Sequence, residues 1–275
     1  MMREDDVMAV AELVIAAGRD LDRRLGLPEH DPPPEDVLRT RYGHPVRQDP
    51  EGAWVAEDEQ GLAACALAFR REDVWILSEL AVRPDLQSAG LGGRILERCH
   101  QYAAGAKGRL IATSQDPRAL RAYARLGLDA HPCLMARGKP QRVRAPTGIR
   151  EGSAADIPFT AAVDRHVRGA AHGPDIQVLL DLGVSLLVSE RGYALADERA
   201  LRLLAAYDEA AARDLLNAAL ARTNEIMVSW ITARQQWAVE VCVAARLELS
   251  TASGALFSGG DLGPFHPYLP SGAYL

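Results

Sequence analysis

Apolar residues recur at Val7, Val10, Leu13, Val14, Ala17, Leu21 and Leu25, with charged residues between them. That spacing predicts a helix over 5–25. The prolines of Asp31-Pro32-Pro33-Pro34-Glu35 break the chain, and a second short helix is expected over 34–42. Runs at 54–57 and 62–70 flank Asp58-Glu59-Gln60-Gly61 and read as a hairpin. A third strand is expected over 74–82, after the turn Arg71-Glu72-Asp73. A helix over 90–104 would bury Leu91, Ile95, Leu96 and Cys99, and the glycines at 105 and 108 close it. A strand at 109–113 follows, parallel to the third because a helix lies between them. Pro117 opens a helix over 118–126 that stops at Gly127, and 132–137 is a strand.

Residues 138–146 are rich in Gly, Pro and basic side chains and read as a linker. After them the order starts again. A short strand at 147–150 precedes helices over 154–167 and 174–182. A hairpin of 184–189 and 193–196 turns at Glu190-Arg191-Gly192. Then come a strand at 201–206, a helix at 208–222, a strand at 226–231, a helix at 235–246 and a strand at 255–258. The repeated order predicts two domains of related α+β fold, 1–140 and 147–275. Each would be a mixed, mainly antiparallel sheet flanked by helices.

Composition narrows the function more than the fold. The chain is 48% hydrophobic and 25% charged, which suits a packed core and argues against global disorder. A net charge of −6 with scattered arginines disfavours nucleic acid as a partner. The run Lys139 to Arg144 is too short to track a phosphate backbone. Cysteines at 65, 99, 133 and 242 form no C-x-x-C pair, so they read as free thiols in a reducing compartment, and no metal site is expected. The acidic start MMREDDVMAV is unlike a signal peptide, and no apolar run reaches the length of a membrane span. A cytoplasmic protein with no membrane partner is expected.

The chemistry centres on residues 75–96. A strand ends at Val82, turns at Arg83-Pro84-Asp85, passes through Gln87-Ser88-Ala89-Gly90-Leu91-Gly92-Gly93, and enters a helix. A glycine-rich turn at a helix N-terminus presents backbone N–H groups and the positive end of the helix dipole, an arrangement suited to a pyrophosphate. No P-loop or Rossmann glycine pattern is present. The turn, Gln87-x-x-Gly90-x-Gly92 preceded by Leu80-Ala81-Val82-x-Pro84, resembles motif A of the GNAT acetyltransferase superfamily. The segment 116–128 resembles the superfamily's second signature, N-x-x-A-x-x-x-Y-x-x-x-G-F, with Asp116 for Asn and Leu128 for Phe.

The resemblance implies two GNAT-like domains, the first with a splayed parallel strand pair that holds acetyl-CoA. It assigns the cofactor to Leu80, Ala81, Val82, Gln87, Ser88, Ala89, Gly90, Leu91, Gly92, Gly93 and Asp116. It implies transfer of an acetyl group to a small-molecule or peptide amine, with the first two helices lining the acceptor side. Tyr123 matches the tyrosine that protonates the leaving thiolate, a role a phenol of pKa near 10 can fill. Glu79, on the strand beside the acetyl site, is the first choice of general base. Glu57, His131 and His172 come after it, and a water chain can also serve. Lys107 or Arg118 could reach a phosphate or be solvated surface charges. Asp31, Glu35 and Asp36 would suit a cationic amine.

The second half carries Tyr207-Asp208-Glu209 where the glycines should fall, so one cofactor site is expected and the second half reads as a scaffold or dimer surface. The apolar C-terminus is expected to dock. N-myristoyltransferases suggest a role for the Leu275 carboxylate or Tyr274 in the acceptor cleft. The competing reading is an acyl-CoA-binding regulatory or interaction module without turnover, because binding and catalysis share the turn.

Overall fold

The computed structural model describes residues 1–28 and 31–274. They fall into two compact units, 1–70 with 75–106, and 71–74 with 107–275.

In the first unit α1 (Val7–Leu25) and α2 (Glu35–Gln48) share a core with three strands. These are β1 (Ala53–Asp58), β2 (Gly61–Arg71) and β3 (Val74–Val82), neighbours in that order. The predicted stripe of α1 is buried at Val7, Val10 and Leu13, while Leu25 at its far end is exposed. Each large side chain buried this way contributes about 1.5–3 kcal/mol of transfer free energy. Gly26 stops α1 in the left-handed conformation, at φ 67°. The second helix runs further than its apolar pattern predicts, past Pro45 to Gln48, with His44 and Pro45 buried. After β3 the chain forms α3 (Leu91–His100), which ends earlier than expected and buries Ile95, Leu96 and Cys99, while Leu91, in its first turn, is only half-buried.

The second unit starts with β4 (Gly108–Thr113), α4 (Pro117–Ala124) and β5 (Asp129–Gly138). Next come β6 (Arg150–Glu151), α5 (Ile157–Arg168), α6 (Pro174–Asp181), β7 (Ser185–Ser189) and β8 (Gly192–Ala196). Then follow β9 (Ala200–Ala206), α7 (Glu209–Leu220), β10 (Ile226–Thr232) and α8 (Gln236–Ala244). The chain closes with β11 (Glu248–Ser250), β12 (Ala255–Gly260) and β13 (Tyr268–Leu269). The strand order is β4-β12-β5-β10-β9-β8-β7-β6, with β11 beside β5 and β13 beside β9.

Contact density divides the chain between β3 and β4, not at the Gly/Pro-rich segment after β5. The cause lies in the second unit. There β12, from near the C-terminus, inserts antiparallel between β4 and β5. In turn β5 pairs with β10 and β11. Strands far apart in sequence complete one another's ladders, so the linker does not mark a gap in packing. The parallel neighbours β9 and β10 pair only at Ala200 with Met227 and Leu201 with Val228. Beyond that point β13 takes the free edge of β9, at Leu204 and Ala205.

Candidate functional site

The first unit brings Glu79, Leu80, Ala81, Val82 and the turn from Gln87 to Gly93 into one continuous segment, from β3 into α3. Arg83 braces its start, with ion pairs to Asp58 at 2.5 Å and Asp85 at 2.8 Å. The Gln87 side-chain amide donates to the Val82 carbonyl at 3.0 Å, so this side chain ties the turn to the strand end. Ser88 and Gly90 take positive φ, 67° and 84°. Gly90 sits at the N-cap of α3 and no side chain caps the helix. Among the described residues, none of the N–H groups from Ser88 through Ala89, Gly90, Leu91 and Gly92 to Gly93 donates to a protein acceptor. A Cβ on Gly92 would lie 3.3 Å from Val82 Cγ2, which lets α3 start hard against the strand. At Gly90 and Gly93 a Cβ would meet nothing within 4 Å. Bare N–H groups, open space and a helix N-terminus fit an anionic diphosphate.

Glu79 is 19% exposed, and one oxygen lies 3.3 Å from Arg41 Nη2, on α2. Burial pushes its carboxyl above the usual range, while Arg41 and the Leu80 N–H pull it part of the way back. A carboxylate raised in this way is better matched to accept a proton near neutral pH. Arg41→Gln removes the cation, so the Glu79 carboxyl should rise further. The acid limb of the rate profile should then move to higher pH, and a limb that stays put or moves down would contradict the pairing. Local sequence gave no sign of Arg41, because its partner is 38 residues away.

In the second unit, Asp116 caps α4 by accepting from the Arg118 N–H at 2.9 Å. The Arg118 guanidinium folds back onto the same carboxylate at 2.5 Å. Tyr123 is buried, its ring edge-on to Phe257 of β12 at 5.8 Å. Lys107 is paired with Asp73 at 2.6 Å. His131 Nε2 lies 2.8 Å from Ser258 Oγ. His172 is fully buried, its Nδ1 2.8 Å from Asp164, which also accepts from the Tyr193 hydroxyl. Burial, then nearby Arg168, lowers the His172 pKa, so it sits neutral inside a closed cluster. In the first unit Glu57 is exposed, and Glu35 pairs with Arg39 at 2.6 Å.

The acidic turn of the second half has its own task. Asp208 accepts from the Ala211 N–H at 2.9 Å and caps α7. That bond, and then Arg191, hold its carboxyl below the usual range. Asp208→Ala should cost about 1 kcal/mol of stability at neutral pH, read by urea unfolding, without changing acetyl-CoA affinity. The C-terminal tail is docked on the second unit through β13, with Tyr274 buried. Leu275 lies outside the described residues.

Residues 49–127 match the acetyltransferase (GNAT) domain model, a span that holds β3, the turn and α4. The chain carries the GNAT fold. A protein of Pyrococcus horikoshii provisionally described as an acetyltransferase superposes with a TM-score of 0.79 at 15% identity, covering 99% of this chain and 93% of that one. A GCN5-related N-acetyltransferase from Sphaerobacter thermophilus gives 0.56 at 18%, covering 94% of each chain. A tandem GNAT protein from the clavulanic acid biosynthesis pathway gives 0.57 at 12%, covering 94% and 97%. That match runs nearly the length of both chains and fits two GNAT-like halves. No curated protein matches the sequence. No described helix is long and apolar enough to cross a membrane.

Proposed function

We propose that the protein is an acyltransferase that moves an acetyl group from acetyl-CoA directly to an amine. The observation that carries this reading is the row of N–H groups from Ser88 to Gly93 without acceptors among the described residues, continuous with the strand that bears the half-buried Glu79, whose carboxyl burial raises. Bound acetyl-CoA supplies an activated thioester. The turn would hold its diphosphate, and the backbone of Leu80, Ala81 and Val82 would align its pantetheine arm. Asp116 would fix the start of α4 and thereby the position of Tyr123. Glu79 takes the proton that leaves the amine as its nitrogen forms the new C–N bond. Tyr123 Oη gives a proton to the sulfur as the C–S bond breaks. Four buried cysteines are unpaired as disulfides. Burial pushes the thiols of Cys99 and Cys242 up to about 12, so they stay protonated and a reducing cytoplasm suits them.

The test is thiol release from acetyl-CoA against a panel of amines, amino acids and aminoglycosides. Turnover with at least one amine is expected. Tyr123→Phe should then lower kcat at least about tenfold with acetyl-CoA affinity held. Tight binding with no release for any acceptor would favour the non-catalytic module, and undiminished turnover in the variant would remove Tyr123 from the reaction.

A further inference from the structure

Between α4 and α8 the second unit holds an open pocket of about 900 Å³. Its walls come from Leu120 and Ala124 on α4, Leu134 on β5, Ile231 on β10, Val239 on α8 and Phe257 on β12. None of these is a residue to which the acyl-transfer reading gives a role. Small-molecule sites typically span about 300–1,000 Å³ and are mostly apolar, with a few polar groups that orient the ligand. Carbon-lined space gives water few partners and favours an apolar occupant.

The charge at this pocket is one-sided. Arg121 is the single charged side chain among the described residues that line it, and no carboxylate does. It is exposed, and its guanidinium has no ion pair or hydrogen bond among the described residues. The neighbouring Arg118 is already committed to Asp116. A guanidinium beside an apolar pocket matches a carboxylate on an apolar chain, since it can donate two parallel hydrogen bonds. Cys133 also lines the pocket, and burial pushes its thiol up to about 11, which disfavours the nucleophilic thiolate there.

We propose that this pocket binds a small molecule with an apolar chain and one terminal carboxylate, the chain packed between α4 and α8 and the carboxylate on Arg121. The inference does not depend on acyl transfer.

Calorimetric titration of the full chain with decanoate, decanol and decyltrimethylammonium tests it, with light scattering to follow oligomeric state. Saturable decanoate binding is expected, tighter than for decanol and much tighter than for the cation. Arg121→Gln should weaken decanoate about tenfold or more and leave decanol unchanged. Ala124→Trp, which fills the pocket, should weaken both at least about tenfold. If that variant does not fold, the exposed Arg121→Gln carries the test alone. Absence of saturable decanoate binding, indifference to Arg121→Gln, or equal affinity for the cation would overturn the proposal. So would a dimer that Ala124→Trp dissociates in a protein that takes up no decanoate, which would make this face an interface between copies.

Discussion

Gly93→Asp is expected to weaken acetyl-CoA binding about a hundredfold while leaving the protein as stable as before, or more so. Gly93 lies in the first turn of α3, is exposed, and has open space where a Cβ would project. A carboxylate there interacts favourably with the helix dipole, and replacing a helical glycine reduces the entropy lost on folding. Together these raise stability by up to about 1 kcal/mol. The same carboxylate faces the proposed diphosphate. Like charges roughly 5 Å apart at an effective dielectric near 20 repel by about 3 kcal/mol, about two decades in affinity. The opposite signs separate this result from simple damage. The second half already carries Asp208 and Glu209 at the start of α7, where an acid serves the helix and no diphosphate is expected. Unchanged acetyl-CoA affinity in Gly93→Asp would mean that the turn is not the cofactor grip.

Glu79→Gln should lower kcat by about 10²–10⁴, the usual contribution of a positioned general base, with the KM for acetyl-CoA within a few-fold. The pH profile decides between a base and a merely structural carboxylate. A base acts when deprotonated, so the wild-type rate should rise with pH through the pKa of Glu79 and level off above it. Burial places that limb above the ordinary carboxylate range, and Arg41 limits how far it climbs. In Glu79→Gln the limb should vanish. A variant that retains both rate and limb would assign the proton to a water chain.

Much of the first unit was legible because its signals are local. The third strand appears with the bounds read from its apolar run, and the first helix ends at Leu25 as its stripe predicts. The strand-turn-helix geometry at Gly90 was legible because glycine spacing and a helix start coincide there. The bond from the Gln87 amide to the Val82 carbonyl, which ties the turn to the strand end, was not legible. Elements that rest on distant partners left no local trace. β11 is exposed at all three residues and is defined only by pairing with β5. β13 exists because the tail finds the free edge of β9. The insertion of β12 between β4 and β5 joins residues more than a hundred positions apart, and no periodicity records it. The same holds for Arg41, whose effect on Glu79 depends on how α2 packs against the sheet.

Calorimetric titration of the intact wild-type chain with acetyl-CoA is the most direct measurement. The account predicts saturable binding at one site per chain, at the turn whose N–H groups from Ser88 to Gly93 have no protein acceptor among the described residues. No heat of binding, or two equivalent sites, would contradict it.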